Sequence, residues 1–304
     1  MSTSPAPLVA GLEMGGTKCI AILGTGPDDI QDEVRVPTTS PAETMAALEA
    51  VVDRWSGLAA IGVACFGPAS VNRAAADWGS ITTTPKPGWA GTPVAPRLAG
   101  RYRVPVGFHT DVVGAALGEG AFGAAVGLAD HAYVTVGTGV GVGLVCGGVP
   151  VTGMTHQELG HLRPVRAKGD DWAGICPFHG ACVEGLASGP AIAARTGIPA
   201  PDLPADHPAW DLVAQAIAQA CHALVLTGVP RRIVLGGGVM VGTPHLFPRI
   251  RRMLHDSLGG YLATPELAEL DSYVVPPRLG GQAGPLGALV LARQALEHGT
   301  LTKP

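Results

Sequence analysis

Aromatic side chains make up only 5% of the 304 residues and charged ones only 14%, and basic residues are not in excess, the formal net charge being −4. A chain without a basic surplus has no electrostatic footprint for nucleic acid or anionic lipid, so neither is expected as a partner. The first seven residues hold no Lys or Arg and lead into no signal-type apolar core, so no export segment is expected. Disorder is excluded by the pairing of low charge with 47% hydrophobic residues. One stretch, Ala132–Gln157, has no Asp, Glu, Lys or Arg, and mean hydropathy is +0.30. That stretch carries seven Gly together with Pro150 and His156, a strand-and-turn texture, so no membrane span is expected. Six Cys in a chain of this length, without a secretion signal, point to a reducing cytoplasm and not to a disulfide framework.

Glycine and proline are abundant, 71 residues together, about 23% against an average near 12%. They have no short period and punctuate apolar runs, which reads as many tight turns in an α/β protein. Leu8–Met14 and Cys19–Leu23 read as a hairpin around Gly15-Gly16-Thr17-Lys18. Ser40-Pro41-Ala42-Glu43 is a capping box opening a helix to about Trp55. Ala59–Phe66 and Val104–Phe108 are expected strands, and a helix is expected from Asp111 to about Phe122. In the second half the expected strands are Tyr133–Val136, Val142–Val145 and Ile233–Leu235. Expected helices are Asp211–Thr227 and about Pro285–Glu297.

Four constellations bear chemistry. Gly11–Lys18 places glycines where backbone N–H groups can approach an anion, with Thr17 and Lys18 adding a hydroxyl and a positive charge. Its Thr-Lys order is not that of a Walker A loop, and read alone it also fits an ordinary hairpin turn. Val136–Gly143 repeats the pattern at a second strand end, around Gly137-Thr138-Gly139, where a close-packed glycine turn is the alternative. Two such hairpins, one early in each half, suggest duplicated lobes clasping one polyphosphate. His161, Cys176, His179 and Cys182 form H-x14-C-x2-H-x2-C, four N and S ligands suited to tetrahedral zinc in a closed, structural site. Buried thiols beside satisfied histidines are the alternative. Glu158 and Glu184 flank this clip, where they could grip sugar hydroxyls. Asp111 stands where a strand meets a helix, suited to a general base, although read alone it fits a simple N-terminal cap better.

Taken in order, these segments resemble the ROK family of sugar kinases, repressors and open reading frames, and its fructokinase branch in particular. The resemblance implies the α/β actin/hexokinase-like (ribonuclease H-like) ATPase fold, two lobes with a central cleft. Residues 1–118, completed by a C-terminal helix 285–304, would form the small lobe. Residues 119–284 would form the large lobe, with a zinc-binding loop region at 155–184. It implies ATP as phosphoryl donor with Mg2+, held by Glu13, Gly15, Gly16, Thr17, Lys18, Gly137, Thr138, Gly139 and the adenosine-side glycines Gly236, Gly237 and Gly238. Asp111 matches the catalytic base, and Glu158, His161 and Glu184 the sugar-binding residues. A structural Zn2+ would be held by His161, Cys176, His179 and Cys182, with His161 turning its second ring nitrogen to the sugar.

Glu13 replaces the Asp found in most of the family, Thr110 the Asn of many glucokinases, and His179 one thiolate of the all-Cys zinc motif. Each looks like the fructokinase branch, as do Pro85–Trp89 and Asp170–Cys176. The expected activity is therefore ATP-dependent phosphorylation of D-fructose to fructose 6-phosphate, with mannokinase or glucokinase as the alternatives. A catalytically silent sugar-binding regulator is the rival class. It fits less well because Asp111 is present and the first strand begins too early for a preceding DNA-binding domain. A cytoplasmic homodimer is expected.

Overall fold

The computed structural model describes residues 6–297. Among these, residues 6–126, 150–156 and 279–297 form one compact unit, and 127–149 with 157–278 form a second. The expected helix 285–304 is described as far as Glu297, and residues 298–304 lie outside the described residues.

The first unit is built on a five-stranded sheet. Its strands are β1 (Val9–Met14), β2 (Lys18–Gly26), β3 (Asp29–Pro37), β4 (Ala60–Cys65) and β5 (Val106–Thr110), in the order β3-β2-β1-β4-β5. β1 pairs antiparallel with β2 and parallel with β4, and β4 pairs parallel with β5. Every residue of β4 is buried, as a central parallel strand covered on both faces requires. β3 has no counterpart in the sequence reading. It is a half-exposed edge strand whose apolar positions, Ile30, Val34 and Val36, are outnumbered by polar ones.

Helix α1 (Pro41–Val52) begins with the expected capping box, Ser40 accepting from the Glu43 N–H and Glu43 from the Ser40 N–H. It stops three residues short of Trp55, because Arg54 and the Trp55 indole N–H both turn to the Asp32 carboxylate on β3, at 2.6 and 2.9 Å. Helix α2 (Val94–Tyr102) follows the Pro/Gly-rich loop, and α3 (Asp111–Phe122) occupies the expected span. A domain boundary at 118/119 would fall inside α3, and the first unit keeps the whole helix.

One face of this sheet packs Leu12, Met14, Val63 and Phe108 against Met45, Leu48, Trp89 and Leu98. The other face explains part of the glycine content. Gly11, Gly62 and Gly107 lie side by side on β1, β4 and β5. A Cβ at each would meet the carbonyl oxygens of Pro285, Ala288 and Leu291 respectively, all on the C-terminal helix Ala283–Glu297. Three side chains reduced to hydrogen let that helix lie directly on the sheet.

The second unit repeats the plan. Strands β6 (His131–Val136), β7 (Val140–Cys146), β8 (Val149–Pro150), β9 (Ile233–Gly236) and β10 (Val274–Val275) lie in the order β10-β9-β6-β7-β8. Again an antiparallel pair joined by a glycine turn has a parallel neighbour on its first strand. Its helices are α4 (Val183–Ala187), α5 (Gly189–Thr196), α6 (Ala209–Thr227), α7 (Gly237–Gly242), α8 (Leu246–Leu258), α9 (Pro265–Ala268) and α10 (Leu270–Tyr273). The Ala283–Glu297 helix of the first unit is α11. Only α6, among the described residues, is long and apolar enough to cross a membrane, and it is a core helix with Trp210, Ile217, Cys221 and Leu224 buried.

Candidate active site

The candidate residues fall in both units, and each set is assembled by its own sheet. In the first unit, Gly15–Thr17 is the turn between β1 and β2. A Cβ on Gly15 would sit 2.8 Å from the Lys18 carbonyl, which receives the Gly15 N–H at 3.0 Å, so the tight turn needs glycine there. The three turn carbonyls are engaged within the unit. Gly15 accepts from the Thr38 hydroxyl at 2.7 Å, Gly16 from Lys86 Nζ at 2.6 Å, and Thr17 from the Thr38 N–H at 3.0 Å. Lys86 thus brings a second cation to the turn that holds Lys18. Sequence reasoning noted its loop but gave the side chain no role; the signal was a lone Lys inside Pro85–Trp89.

Asp111 is the first residue of α3, after Thr110 in extended conformation, and its Oδ1 accepts the Val112 N–H at 2.7 Å. Glu13, on β1, lies in its field. Burial pushes the Glu13 carboxyl up to about 7; the charge of Asp111 raises it too, and Lys18 opposes. The start of α11 closes over it, since a Cβ on Gly284 would overlap the Glu13 carboxylate. A carboxylate burdened in this way is suited to a hard cation, which would relieve both the burial and the repulsion.

The same burden sets a pH dependence. An unfolded Glu13 ionises near 4.5 and the folded one near 7, so stability falls as pH rises through that window. Without added magnesium, Glu13→Gln should therefore be more stable than the parent at pH 8, by up to about 3 kcal/mol, with the gap closing toward pH 4.5. Urea melts across that range check it, and a gap independent of pH overturns the assignment.

His109 was also missed. It is buried, and its Nδ1 accepts the Thr110 N–H at 2.8 Å, so the neutral ring carries its proton on Nε2, which has no partner among the described residues. Burial pushes it down to about 3, with His156 adding to the effect. A neutral, buried imidazole is thus packed directly before the Thr110-Asp111 pair.

In the second unit the zinc-type residues converge. The ligand atoms of His161, Cys176, His179 and Cys182 all lie within 4.8 Å of one another. Cys176 Sγ is 3.7 Å from Nδ1 of both His161 and His179, and Cys182 Sγ is 3.6 Å from His161 Nδ1. Tetrahedral zinc with bonds of about 2.3 Å to sulfur and 2.0–2.1 Å to nitrogen gives an S···N edge of roughly 3.6 Å, so the donor set fits zinc. The Cys176–Gly180 backbone pair makes the knuckle, with Gly180 at a φ of 58° that favours glycine. Burial pushes the Cys182 thiol up to about 11, and a metal would displace that proton.

With Nδ1 toward the thiols, His161 keeps Nε2 on the opposite edge, 3.9 Å from a Glu158 carboxylate oxygen. Glu184, in the first turn of α4, instead reaches the second glycine hairpin, its Oε2 accepting the Val140 N–H at 3.1 Å. A Cβ on Gly139 would come within 2.7 Å of that oxygen. The loop between His161 and Cys176 is tied down by an Arg166–Asp170–Arg195 ion-pair network with Arg195 stacked 4.5 Å over Trp172, a fastening not read from sequence.

The hairpin turn Gly137–Gly139 closes with the Gly137 N–H on the Gly139 carbonyl at 2.9 Å, and the Gly137 carbonyl takes the Gly189 N–H at 2.8 Å. Gly236–Gly238 sits beside it, at the junction of β9 and α7, a helix that was not expected from sequence. Gly237 has a φ of 86°, and a Cβ there would lie 2.5 Å from the Val136 carbonyl, so this approach excludes side chains.

Each unit thus has a five-stranded sheet with a glycine hairpin on its first two strands, the first unit adding Asp111 at a strand-to-helix junction and the second the four-residue cluster of metal-ligating type. The model of the ROK family matches residues 9–295, and the chain belongs to that family. A protein described as a fructokinase from Pediococcus pentosaceus is 41% identical over 291 residues, covering 96% of this chain and 99% of that one. Among solved structures, the ROK hexokinase from Thermus thermophilus is similar at a TM-score of 0.77 and 30% identity, over 96% of this chain and 100% of that one. A ROK glucokinase from Streptomyces griseus, solved with glucose and AMPPNP, is similar at a TM-score of 0.73 and 26% identity, over 94% and 99%. The fold is the two-lobe α/β actin/hexokinase-like fold.

Proposed function

We infer that the protein is an ATP-dependent sugar kinase that transfers the γ-phosphoryl group to the 6-hydroxyl of D-fructose. The observation that carries this reading is the 41% identity to a fructokinase over nearly the full length of both chains. Asp111 takes the proton as the sugar oxygen attacks phosphorus and the bond to ADP breaks. Glu158, His161 Nε2 and Glu184 bind the sugar hydroxyls, Glu184 while bracing the second hairpin. The N–H groups at Gly15–Lys18 and Gly137–Gly139 bind phosphate oxygens, with Lys18 and Lys86 adding positive charge at the first turn. Mg2+, when bound, neutralises phosphate charge, and Glu13 is the residue that would hold it. Zinc in the His161–Cys182 clip is structural, its four protein ligands leaving no open position.

The cytoplasm is proposed as the location, supported by Cys19, Cys65, Cys146 and Cys221, four unpaired thiols outside the clip, a usage typical of reducing compartments. The working assembly is proposed to be a homodimer, on family resemblance.

Sugars differ at single hydroxyls, and a pocket that pairs each one rejects the mismatched isomer because unpaired buried polar groups are costly. The expected order of kcat/KM is fructose, then mannose, then glucose. A glucose value tenfold above that for fructose, about 1.4 kcal/mol in transition-state binding, would make the chain a glucokinase.

A further inference from the structure

Within the second unit a cavity of about 490 Å3 opens beside the glycines of the second hairpin. Gly137, Thr138 and Gly238 form one side, and α5, α7 and the segment 199–201 form the rest. A nucleotide whose phosphates meet Thr138 and Gly139 would have this cavity for its nucleoside. What is notable is how few polar groups the walls offer a base.

Three lining residues, Pro190, Pro199 and Pro201, have no backbone N–H to donate. The carbonyls of Ala193 and Pro199 already accept the N–H groups of Gly197 and Asp202, at 2.8 and 2.9 Å. Thr243 is buried, and its hydroxyl donates to the Val239 carbonyl at 2.7 Å. No charged side chain, Asn or Gln lines the cavity. A purine edge placed here meets mostly alkyl carbon, with the Ala193 and Pro199 carbonyls and the Thr243 hydroxyl already engaged.

We propose that this cavity holds the nucleoside of the phosphoryl donor by shape and apolar contact without reading the Watson–Crick edge, so that GTP and ITP serve as donors alongside ATP. Rejection by a factor of 10⁴ or more requires a site that pairs a polar group of the preferred ligand, whereas an apolar wall discriminates by about 10²-fold at most. Adenine, guanine and hypoxanthine share the bicyclic shape and differ in the exocyclic and ring polar groups that this wall leaves unread. The reaction stays balanced, since each donor gives its γ-phosphoryl group to the sugar oxygen and leaves as the nucleoside diphosphate.

The proposal rests on the sugar kinase reading, and the test separates the two. Fructose 6-phosphate formation is measured directly with ATP, GTP and ITP as donors on the purified full chain, and binding of ADP and GDP is measured by calorimetry. The expected result is a kcat/KM for GTP and for ITP no more than about a hundredfold below that for ATP, with ADP and GDP affinities inside the same range. A larger gap in either measurement overturns the proposal while leaving the kinase reading intact. Absence of sugar phosphorylation with ATP, across fructose, mannose and glucose, overturns the kinase reading and this proposal with it.

Discussion

Asp111→Asn should lower kcat by at least roughly 10²-fold while fructose binding changes little. The substitution is informative because it preserves what the residue does structurally. Asn has the same shape, and its Oδ1 can still accept the Val112 N–H that Asp111 Oδ1 accepts at 2.7 Å, so the first turn of α3 keeps its partner. What Asn cannot do is receive a proton from the sugar hydroxyl. The alternative reading, a plain helix cap, predicts unchanged turnover together with unchanged folding. Steady-state kinetics beside a thermal melt distinguish the two, and near-parent turnover in the Asn variant would sink the base assignment.

Loss of the zinc clip should have an effect of comparable or larger size. The chain as purified without chelator should carry one zinc per subunit by elemental analysis, and Cys182→Ser should carry none. Structural zinc contributes about 10–16 kcal/mol in isolated zinc-finger peptides, similar to the whole stability of a typical domain, so loss of a metal held there should loosen the region 155–184. The consequence should reach past that region. Cys182 is the N-cap of α4, and Glu184, two residues on, holds the Val140 N–H of the second hairpin. Sugar phosphorylation should fall by more than about 10²-fold, and limited proteolysis should cut first between residues 162 and 182. A zinc-free parent protein with full activity would show that the four side chains are packing residues only.

The elements most legible from sequence were those whose causes are local. Ser40, Pro41 and Glu43 are close enough along the chain to cap α1 unaided, and Thr110-Asp111 marks the start of α3. The cluster His161, Cys176, His179 and Cys182 was legible because three of the four fall within seven residues, so spacing alone brings them near one another. β3 and α2 were not read. β3 is an edge strand with too few apolar positions to show a clean period, and α2 has only four buried residues in nine.

The hydrogen bonds that Lys86 and Glu184 make to the two hairpins were beyond sequence reasoning for a different reason. Each is defined by a contact across a long span of chain, Lys86 with Gly16 and Glu184 with Val140, and no propensity encodes such pairings. The raised carboxyl of Glu13 likewise arises from burial under Gly284 and the field of Asp111, both remote in sequence. Turn chemistry, capping and ligand spacing are therefore properties of the linear chain, because they act over a few residues where geometry follows from covalent connection. The row of glycines under α11, the bracing of the second hairpin and the apolar walls of the cavity beside Gly137 and Gly238 belong to the tertiary structure. They come from packing between distant segments, where the identity of one residue has meaning only through the neighbour that folding supplies.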